Sequence, residues 1–181
     1  MSDILLLAEE ILNNIPQIIE NKENWAIYKD IFDARLQAYN LKTQEWLLGA
    51  VIGEIGFNTF DHNFSFSSSE KKGLYCDFEY DLNTILMFDF GCGIKNSLSK
   101  VKKNIKSDFE ALKIAFTQII SGRAPEQRGN GLKFVLNSVV ENQWNMYFQS
   151  GDAYCIIDKS GYSFGNAMQN YNGCFCILKR K

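Results

Sequence analysis

The spacing of apolar residues changes once along this chain, and that change limits the folds open to it. Up to about residue 58, apolar side chains recur every three or four positions, which predicts amphipathic helices. After the polar stretch SFSSSEKKG, residues 65–73, the segment LYCDFEYD alternates apolar and polar side chains, which predicts a half-buried strand. The sequence therefore predicts a helical N-terminal part followed by a β-sheet.

Three helices are predicted before this change in spacing. The first extends from Asp3 to about Glu20, and we expect Pro16 to kink it or to break it into two short helices, because proline lacks the amide hydrogen of a helix interior. The second extends from Trp25 to Tyr39. The third ends near Asn58 and has Thr43 as a candidate N-cap.

The part of the chain after residue 83 predicts both strands and helices. TILMFDF, residues 84–90, is a more continuously apolar segment and predicts a buried strand. A helix is predicted over residues 107–122, with Ser107 as its N-cap and Gly122 as its stop, and another over residues 132–142.

Three further strands are expected after residue 143, with residues 158–172 as a loop before the last of them. Together these elements predict an α+β fold, a two-layer sandwich of a mixed, mostly antiparallel sheet with helices on one face. We expect residues 1–42 to form an N-terminal helical extension and residues 43–181 to form the main domain, within one compact unit.

Composition narrows the class of protein. Of 181 residues, 46% are hydrophobic and 14% aromatic, which is sufficient for a packed core. The net charge of −2 predicts no general attraction to nucleic acid or to anionic membranes. No stretch approaches the roughly 18 apolar residues of a membrane-spanning helix, and the N-terminal segment lacks the features of a signal peptide. A soluble, cytoplasmic protein is expected.

The five cysteines predict reduced thiols that pack as small hydrophobic side chains. Their number is odd, no CxxC pair occurs, and His62, the single histidine, cannot complete a typical zinc cluster. Cys174 and Cys176 alternate in a predicted strand and are expected to face the same side.

The first of three polar motifs is GEIGFNTFDHN, residues 53–63. Glu54, Asn58 and His62 are spaced four residues apart and would lie along nearly one face of a helix. A carboxamide oxygen suits Mg²⁺, and a carboxylate one turn away can act on a water or hydroxyl. A solvated helix face is the alternative interpretation of this motif alone.

The second and third motifs contain glycines. In DFGCGI, Asp89 comes at the end of a strand, and the glycines would let the backbone pass close to a flat ligand. The Asp89 carboxylate would accept a hydrogen bond from an exocyclic amine of that ligand. A glycine-rich turn capped by aspartate is the alternative. In RGNGL, residues 128–132, amides at the start of a helix would bind phosphate oxygens, although glycines often precede helices without such a role.

Taken in this order, the three motifs resemble those of the GHKL ATPase superfamily, which shares the Bergerat ATP-binding fold. EIGFNTFDHN looks like the N box, FDFGCGI like the first glycine box and RGNGLKFV like the second. The resemblance covers about residues 43–181. Chain length and the segment of residues 95–128, which would form a lid over ATP, favour the single-domain branch of anti-sigma-factor serine kinases and their relatives.

The resemblance implies a role for each motif residue. Glu54 would be the general base or water-orienting residue, Asn58 would hold Mg²⁺, and Asp89 would bind the adenine amino group. His62 would lie near the phosphates or Mg²⁺ rather than accept phosphate. Because it is the single histidine, no other histidine is present to be phosphorylated, and a complete histidine kinase is excluded. The other candidate nucleotide-binding residues are Gly91, Gly93, Ile94, Arg128, Gly129, Asn130, Gly131 and Leu132.

Two further features follow from the resemblance. Several branches have Gly-Thr near the adenine where this chain has Gly173-Cys174, and a thiol is a poorer hydrogen-bond partner for a base. Residues 95–128 would form the ATP lid. Its basic residues would face a triphosphate or remain solvated surface charges; they are Lys100, Lys102, Lys103, Lys106, Arg123 and Arg128.

Three functions are compatible with these motifs, each with ATP and Mg²⁺ as cofactors. The first is a kinase that phosphorylates a serine or threonine of a small regulatory protein partner. The second is a nucleotide-gated module that binds a partner without phosphoryl transfer, and the third is a slow ATPase switch. The helices before residue 40 would supply a partner or homodimer surface, or would cover the core of their own domain.

Overall fold

A computed structural model describes residues 3–63, 72–81, 83–118 and 131–180. These residues form an α+β fold with a five-stranded sheet of order β1-β2-β3-β5-β4. A 3₁₀ turn covers Lys22–Asn24 and a π-helical turn Thr59–Asn63. The helices and strands are α1 Asp3–Ile18, β1 Trp25–Ala26, α2 Lys29–Thr43, α3 Trp46–Asn58, β2 Leu74–Asp81, β3 Thr84–Asp89, α4 Gly93–Leu98, α5 Asp108–Thr117, α6 Gly131–Glu141, β4 Asn145–Asp158 and β5 Gly161–Lys179.

The sheet is covered on both faces rather than on one. Side chains such as Met87 and Cys176 point to a core shared with α2, α3, α5 and α6, while the alternate side chains, among them Phe88 and Phe175, point to a second core shared with α1. The prediction of helices on one face only is therefore wrong. The prediction of a mixed sheet is also wrong, because every strand pairing in the described residues is antiparallel.

The N-terminal segment is an integral part of this core. Ala8 and Ile11 of α1 are fully buried against the sheet, and Phe32 of α2 is buried in the opposite core. The apolar face of α1 thus covers the protein's own sheet. Pro16 does not divide α1 in two: it lies in the last turn of a single helix, which ends two residues later at Ile18.

The boundaries of the next two helices differ from prediction. Trp25 is not helical but pairs with Tyr75 as part of the short edge strand β1. Thr43 is not an N-cap: it ends α2, and its hydroxyl donates to the carbonyl of Tyr39 at 2.9 Å. Gln44 then takes a left-handed conformation, with φ of 59°, which ends the helix. The third helix ends at Asn58, as predicted.

Strand and helix predictions hold for much of the C-terminal part. β2 and β3 form where alternation and apolarity predict them, and α6 matches its predicted helix. α5 begins where predicted but ends at Thr117, before the predicted end at residue 122, because Gln118 takes an extended conformation. Ser107 is the N-cap of α5, accepting a hydrogen bond from the Glu110 amide. Gly122, the predicted stop, lies outside the described residues.

The last part of the chain has two strands rather than three. β4 and β5 form one long hairpin that turns between Asp158 and Gly161, so most of the predicted loop over residues 158–172 is strand. The pairing of the hairpin is irregular between Ser150 and Gly151, where Asn172 and Gly173 are extra residues in β5, and Gly151 has a φ of 64°. Such a bulge redirects the neighbouring side chains of the strand.

The cysteines form no disulfide in the structure, and those of the last strand lie where predicted. All five are free, and Cys174 and Cys176 contact the same hydrophobic core. Within the described ranges, no helix has the length and apolarity needed to cross a membrane.

Candidate functional site

The centre of the site is the carboxyl group of Asp89, at the end of β3. Its side chain is only 1% exposed. It accepts hydrogen bonds from the Thr59 hydroxyl at 2.9 Å, from the Gly91 amide at 2.8 Å and from the Cys174 amide at 3.2 Å. These donors come from three different segments of the chain: the turn after α3, the loop after β3 and strand β5. The site therefore forms only when these segments are folded together.

Burial sets the acidity of this group. Burial raises the pKa of Asp89 to about 6, and the hydrogen bonds from Gly91, Thr59 and Cys174 oppose that rise. At neutral pH most molecules therefore carry an ionised carboxylate in an almost dry setting. Such a group is a strong hydrogen-bond acceptor for a ligand that offers an N–H.

Gly173 allows the last strand to pass directly beside Asp89. Its φ is 120°, and a Cβ at this position would overlap the Asp89 carbonyl oxygen. Only glycine combines this backbone conformation with such a close approach. The next amide, that of Cys174, is thereby placed on the carboxylate. The Cys174 thiol lies 3.9 Å from the Ser150 hydroxyl, and burial raises its pKa well above the usual value.

Two hydroxyl residues of this site were not predicted from the sequence. Thr59 follows Asn58 directly and donates to Asp89. Ser150, in β4 beside the extra residues of β5, accepts a hydrogen bond from the Ile94 amide at 2.9 Å and donates one to the Gly173 carbonyl at 2.9 Å. Thr59 could have been noticed from its place inside the first motif, whereas no local pattern marks Ser150.

The first motif lies at the C-terminal end of α3. Glu54 is exposed and Asn58 half-buried. The chain then widens into the π-helical turn Thr59–Asn63, so His62 does not continue the α-helical spacing of Glu54 and Asn58. The backbone of His62 lies in this turn; its side chain is outside the description. An ion pair of 2.7 Å between Lys29 and Asp61 connects the turn to α2.

The first and third motifs meet where α3 packs against α6. A Cβ on Gly131, the first residue of α6, would overlap the Glu54 carboxylate oxygen Oε2. The carboxylate therefore lies against the N-terminus of α6, where a negative charge interacts favourably with the helix dipole. Leu132, the following residue, is buried in the core. Glu54 thus has a structural role as well as a candidate chemical one.

The predicted lid is only partly described. Arg123, Arg128, Gly129 and Asn130 lie outside the described residues. Within the predicted segment, α5 belongs to the core, because its residues Leu112 and Phe116 are fully buried against the sheet. The interpretation of all of residues 95–128 as a lid is therefore wrong for α5.

The described residues contain no group of three or more His, Cys, Asp or Glu side chains arranged to hold a metal ion. Comparison with protein-family models and with curated protein sequences finds no match for this chain. Function is therefore inferred from the site itself. The site has two carboxylates: that of Asp89 is buried and accepts hydrogen bonds, and that of Glu54 is exposed in α3 and lies against the N-terminus of α6.

Proposed function

We propose that this protein binds Mg-ATP in the manner of the GHKL ATPases and acts as a signalling regulator that phosphorylates a serine or threonine of a small partner protein. The observation that carries the proposal is the Asp89 carboxylate, buried at a strand end and held by donors from three segments. A buried carboxylate is costly unless it is well hydrogen-bonded. A role in recognising a ligand would account for a carboxylate at this buried position.

The base would be recognised by Asp89. An ionised carboxylate accepts a hydrogen bond from the exocyclic amino group of adenine. Guanine has a carbonyl oxygen at the corresponding position, and this oxygen is itself an acceptor and cannot donate to Asp89. Adenine is therefore favoured over guanine. Gly173, where a side chain would overlap the Asp89 backbone, supports close passage of the strand beside a flat ring.

The phosphates would lie toward α6. Gly131 opens this helix, and amides at a helix N-terminus bind phosphate oxygens. Mg²⁺ in nucleotide sites commonly has one or two protein ligands, with phosphates and water completing its octahedron. The carboxamide of Asn58, half-buried at the end of α3, fits such a single-ligand role.

Glu54 would orient or deprotonate the attacking hydroxyl. It is exposed, and it lies one helical turn before Asn58. Bound Mg²⁺ would supply charge neutralisation for phosphoryl transfer. The kinase is preferred to a purely nucleotide-gated binding module because a carboxylate stands at this place, and a slow ATPase would use the same residue to orient water.

The three functions are separated by following the label of γ-labelled ATP with Mg²⁺, with and without candidate partner proteins. Transfer of label to a protein serine or threonine is the expected result. Release of free phosphate alone would indicate an ATPase, and bound but unconsumed ATP would indicate the gated module. The absence of any bound nucleotide would contradict the proposal as a whole.

Two variants assign the roles at this site. Glu54→Ala is expected to retain nucleotide binding while turnover falls roughly a hundredfold or more, as for loss of a general base. Loss of binding in Glu54→Ala would show that its contact with α6 is its main role. Asn58→Ala is expected to weaken Mg-ATP binding and to leave the affinity for Mg-free ATP unchanged; equal weakening of both would contradict a metal-ligand role.

A further inference from the structure

The hydroxyl of Ser150 joins two segments that border the candidate site. It accepts a hydrogen bond from the amide of Ile94, in the first turn of α4, and donates one to the carbonyl of Gly173 in β5. Ser150 itself is 2% exposed, so water does not compete for these hydrogen bonds. A Cβ on Gly93 would stand 2.9 Å from the same hydroxyl, which shows how closely α4 approaches it.

The second hydrogen bond acts on a single peptide group. The Gly173 carbonyl and the Cys174 amide belong to the same peptide plane; Ser150 binds its oxygen, and Asp89 binds its N–H. Gly173 has no Cβ and a φ of 120°, so its own conformation restricts this plane only weakly. The orientation of the plane therefore depends on the hydrogen bonds at its two ends.

The irregular pairing beside Ser150 explains how its hydroxyl reaches Gly173: from Ser150 to Gly151 the partner in β5 moves from Cys174 to Tyr171, so Asn172 and Gly173 are extra residues in β5. The strand register shifts between Ser150 and Gly151, and Gly151 has a φ of 64°. A bulge re-aims the side chains beside it.

We propose that Ser150 is a positioning residue of the nucleotide site, which fixes the peptide between Gly173 and Cys174 and thereby the orientation of the Asp89 carboxylate. This inference rests on the proposed function for its effect on ATP. Its effect on Asp89 itself is independent of any ligand. Ser150 acts through the peptide and does not touch the base.

The proposal predicts a change in acidity that a general packing defect would not produce. The hydrogen bond from the Cys174 amide lowers the pKa of Asp89. If the peptide is released by loss of the Ser150 hydroxyl, that hydrogen bond weakens and the pKa of Asp89 rises above about 6. As the pH is lowered, Asp89 of the variant would be protonated sooner, so the variant would lose nucleotide binding at a higher pH than the wild type.

The test compares Ser150→Ala, Ser150→Thr and Ser138→Ala with the wild type. Ser150→Thr keeps the hydroxyl, and Ser138→Ala removes another buried serine hydroxyl, on α6. The carboxyl ¹³C signal of Asp89 is titrated by NMR in the ligand-free proteins, with Asp89→Asn giving the assignment. Mg-ATP affinity is measured across the same pH range.

Ser150→Ala is expected to raise the titration midpoint of Asp89 and to lower Mg-ATP affinity at neutral pH by roughly threefold to tenfold, the usual effect of losing one hydrogen bond. Ser150→Thr should restore both values, and Ser138→Ala should change neither. If Ser150→Ala does not fold, Ser150→Cys, which keeps the volume but hydrogen-bonds weakly, is expected to show the same shift.

An unchanged Asp89 midpoint in the folded Ser150 variant would overturn the proposal, as would an equal shift in Ser138→Ala. If wild-type protein binds no nucleotide, the proposed function fails, and the ligand-free titration alone decides whether Ser150 positions Asp89.

Discussion

The hydroxyl of Thr59 donates a hydrogen bond of 2.9 Å to the buried carboxylate of Asp89, across 30 positions of the sequence. Replacing Thr59 with valine keeps the side-chain shape and removes the donor. The charged form of Asp89 loses a hydrogen bond, so its pKa rises and the binding of an adenine nucleotide at neutral pH weakens. Calorimetric titration should show roughly a tenfold or larger loss, since hydrogen bonds to charged groups contribute about 1.5–3 kcal/mol.

Thr59→Ser is the matched control for that change, because it restores the hydroxyl without the methyl group. We expect it to bind nucleotide nearly as well as the wild type. Equal affinity of Thr59→Val and the wild type would mean that the hydroxyl does not support the function of Asp89.

The stability of the protein should depend on pH through Asp89. Its pKa rises on folding from 3.8 to about 6, so the folded state binds more protons between these values and stability falls as the pH rises from about 4 to about 6. The difference corresponds to about 3 kcal/mol at neutral pH. Asp89→Asn should remove this dependence, measured as the difference between urea denaturation curves of variant and wild type at each pH.

Asp158→Asn, at the turn between β4 and β5, is the control for that experiment, since its carboxyl group is remote from the buried site. It should leave the pH dependence of the wild type unchanged. A pH dependence in Asp89→Asn as steep as in the wild type would show that Asp89 is not the responsible group.

The contact between Glu54 and Gly131 predicts non-additive mutations. Gly131→Ala places a Cβ on the Glu54 carboxylate, the end of an exposed and flexible side chain, and should displace it from the N-terminus of α6, lowering the free energy of unfolding by about 0.3–1 kcal/mol. In the Glu54→Ala background the same change meets only the Cβ of residue 54, at 3.9 Å, and should be tolerated. A double-mutant cycle measured by urea denaturation gives the coupling. Equal costs of Gly131→Ala in both backgrounds would show that the two residues do not interact.

The packing of α1 on the sheet predicts that this helix is required for stability. Ile11 is 1% exposed between α1 and the sheet, and Ile11→Ala should lower the free energy of unfolding by about 2–5 kcal/mol. Leu6, on the same helix but 49% exposed, is the matched control, and Leu6→Ala should cost under about 1 kcal/mol. Similar small losses in both variants would indicate that α1 does not form part of the core.

The sequence predicts those parts of the fold in which local pattern and final burial agree. Alternation over residues 74–81 and the N-cap at Ser107 are local signals, and both hold in the structure. The second half of β5 is predicted from the sequence and the first half is not, because the first half forms a two-stranded ribbon with β4 and has few buried side chains, so its sequence is as polar as a loop. The position of α1 on the second face depends on contacts distant in sequence, which periodicity does not reveal.

The candidate site shows the same division. Asp89 and the glycines around it were recognised from a motif, and the structure places Glu54 against Gly131, which joins two of the three motifs. The hydroxyls of Thr59 and Ser150 were not predicted, because a threonine or serine gains its role from a partner far along the chain. Ser150 lies 56 positions from Ile94. Only the folded sheet brings such pairs together.

The central claim is that Asp89 binds the base of an adenine nucleotide, and calorimetric titration of Mg-ATP into wild type and Asp89→Asn tests it most directly. GTP serves as the ligand control and Asp158→Asn as the protein control. We predict saturable binding of Mg-ATP to the wild type and to Asp158→Asn, much weaker binding of GTP, and at least a tenfold loss of ATP affinity in Asp89→Asn. Absence of saturable ATP binding, or equal ATP affinity of Asp89→Asn and the wild type, would contradict the claim.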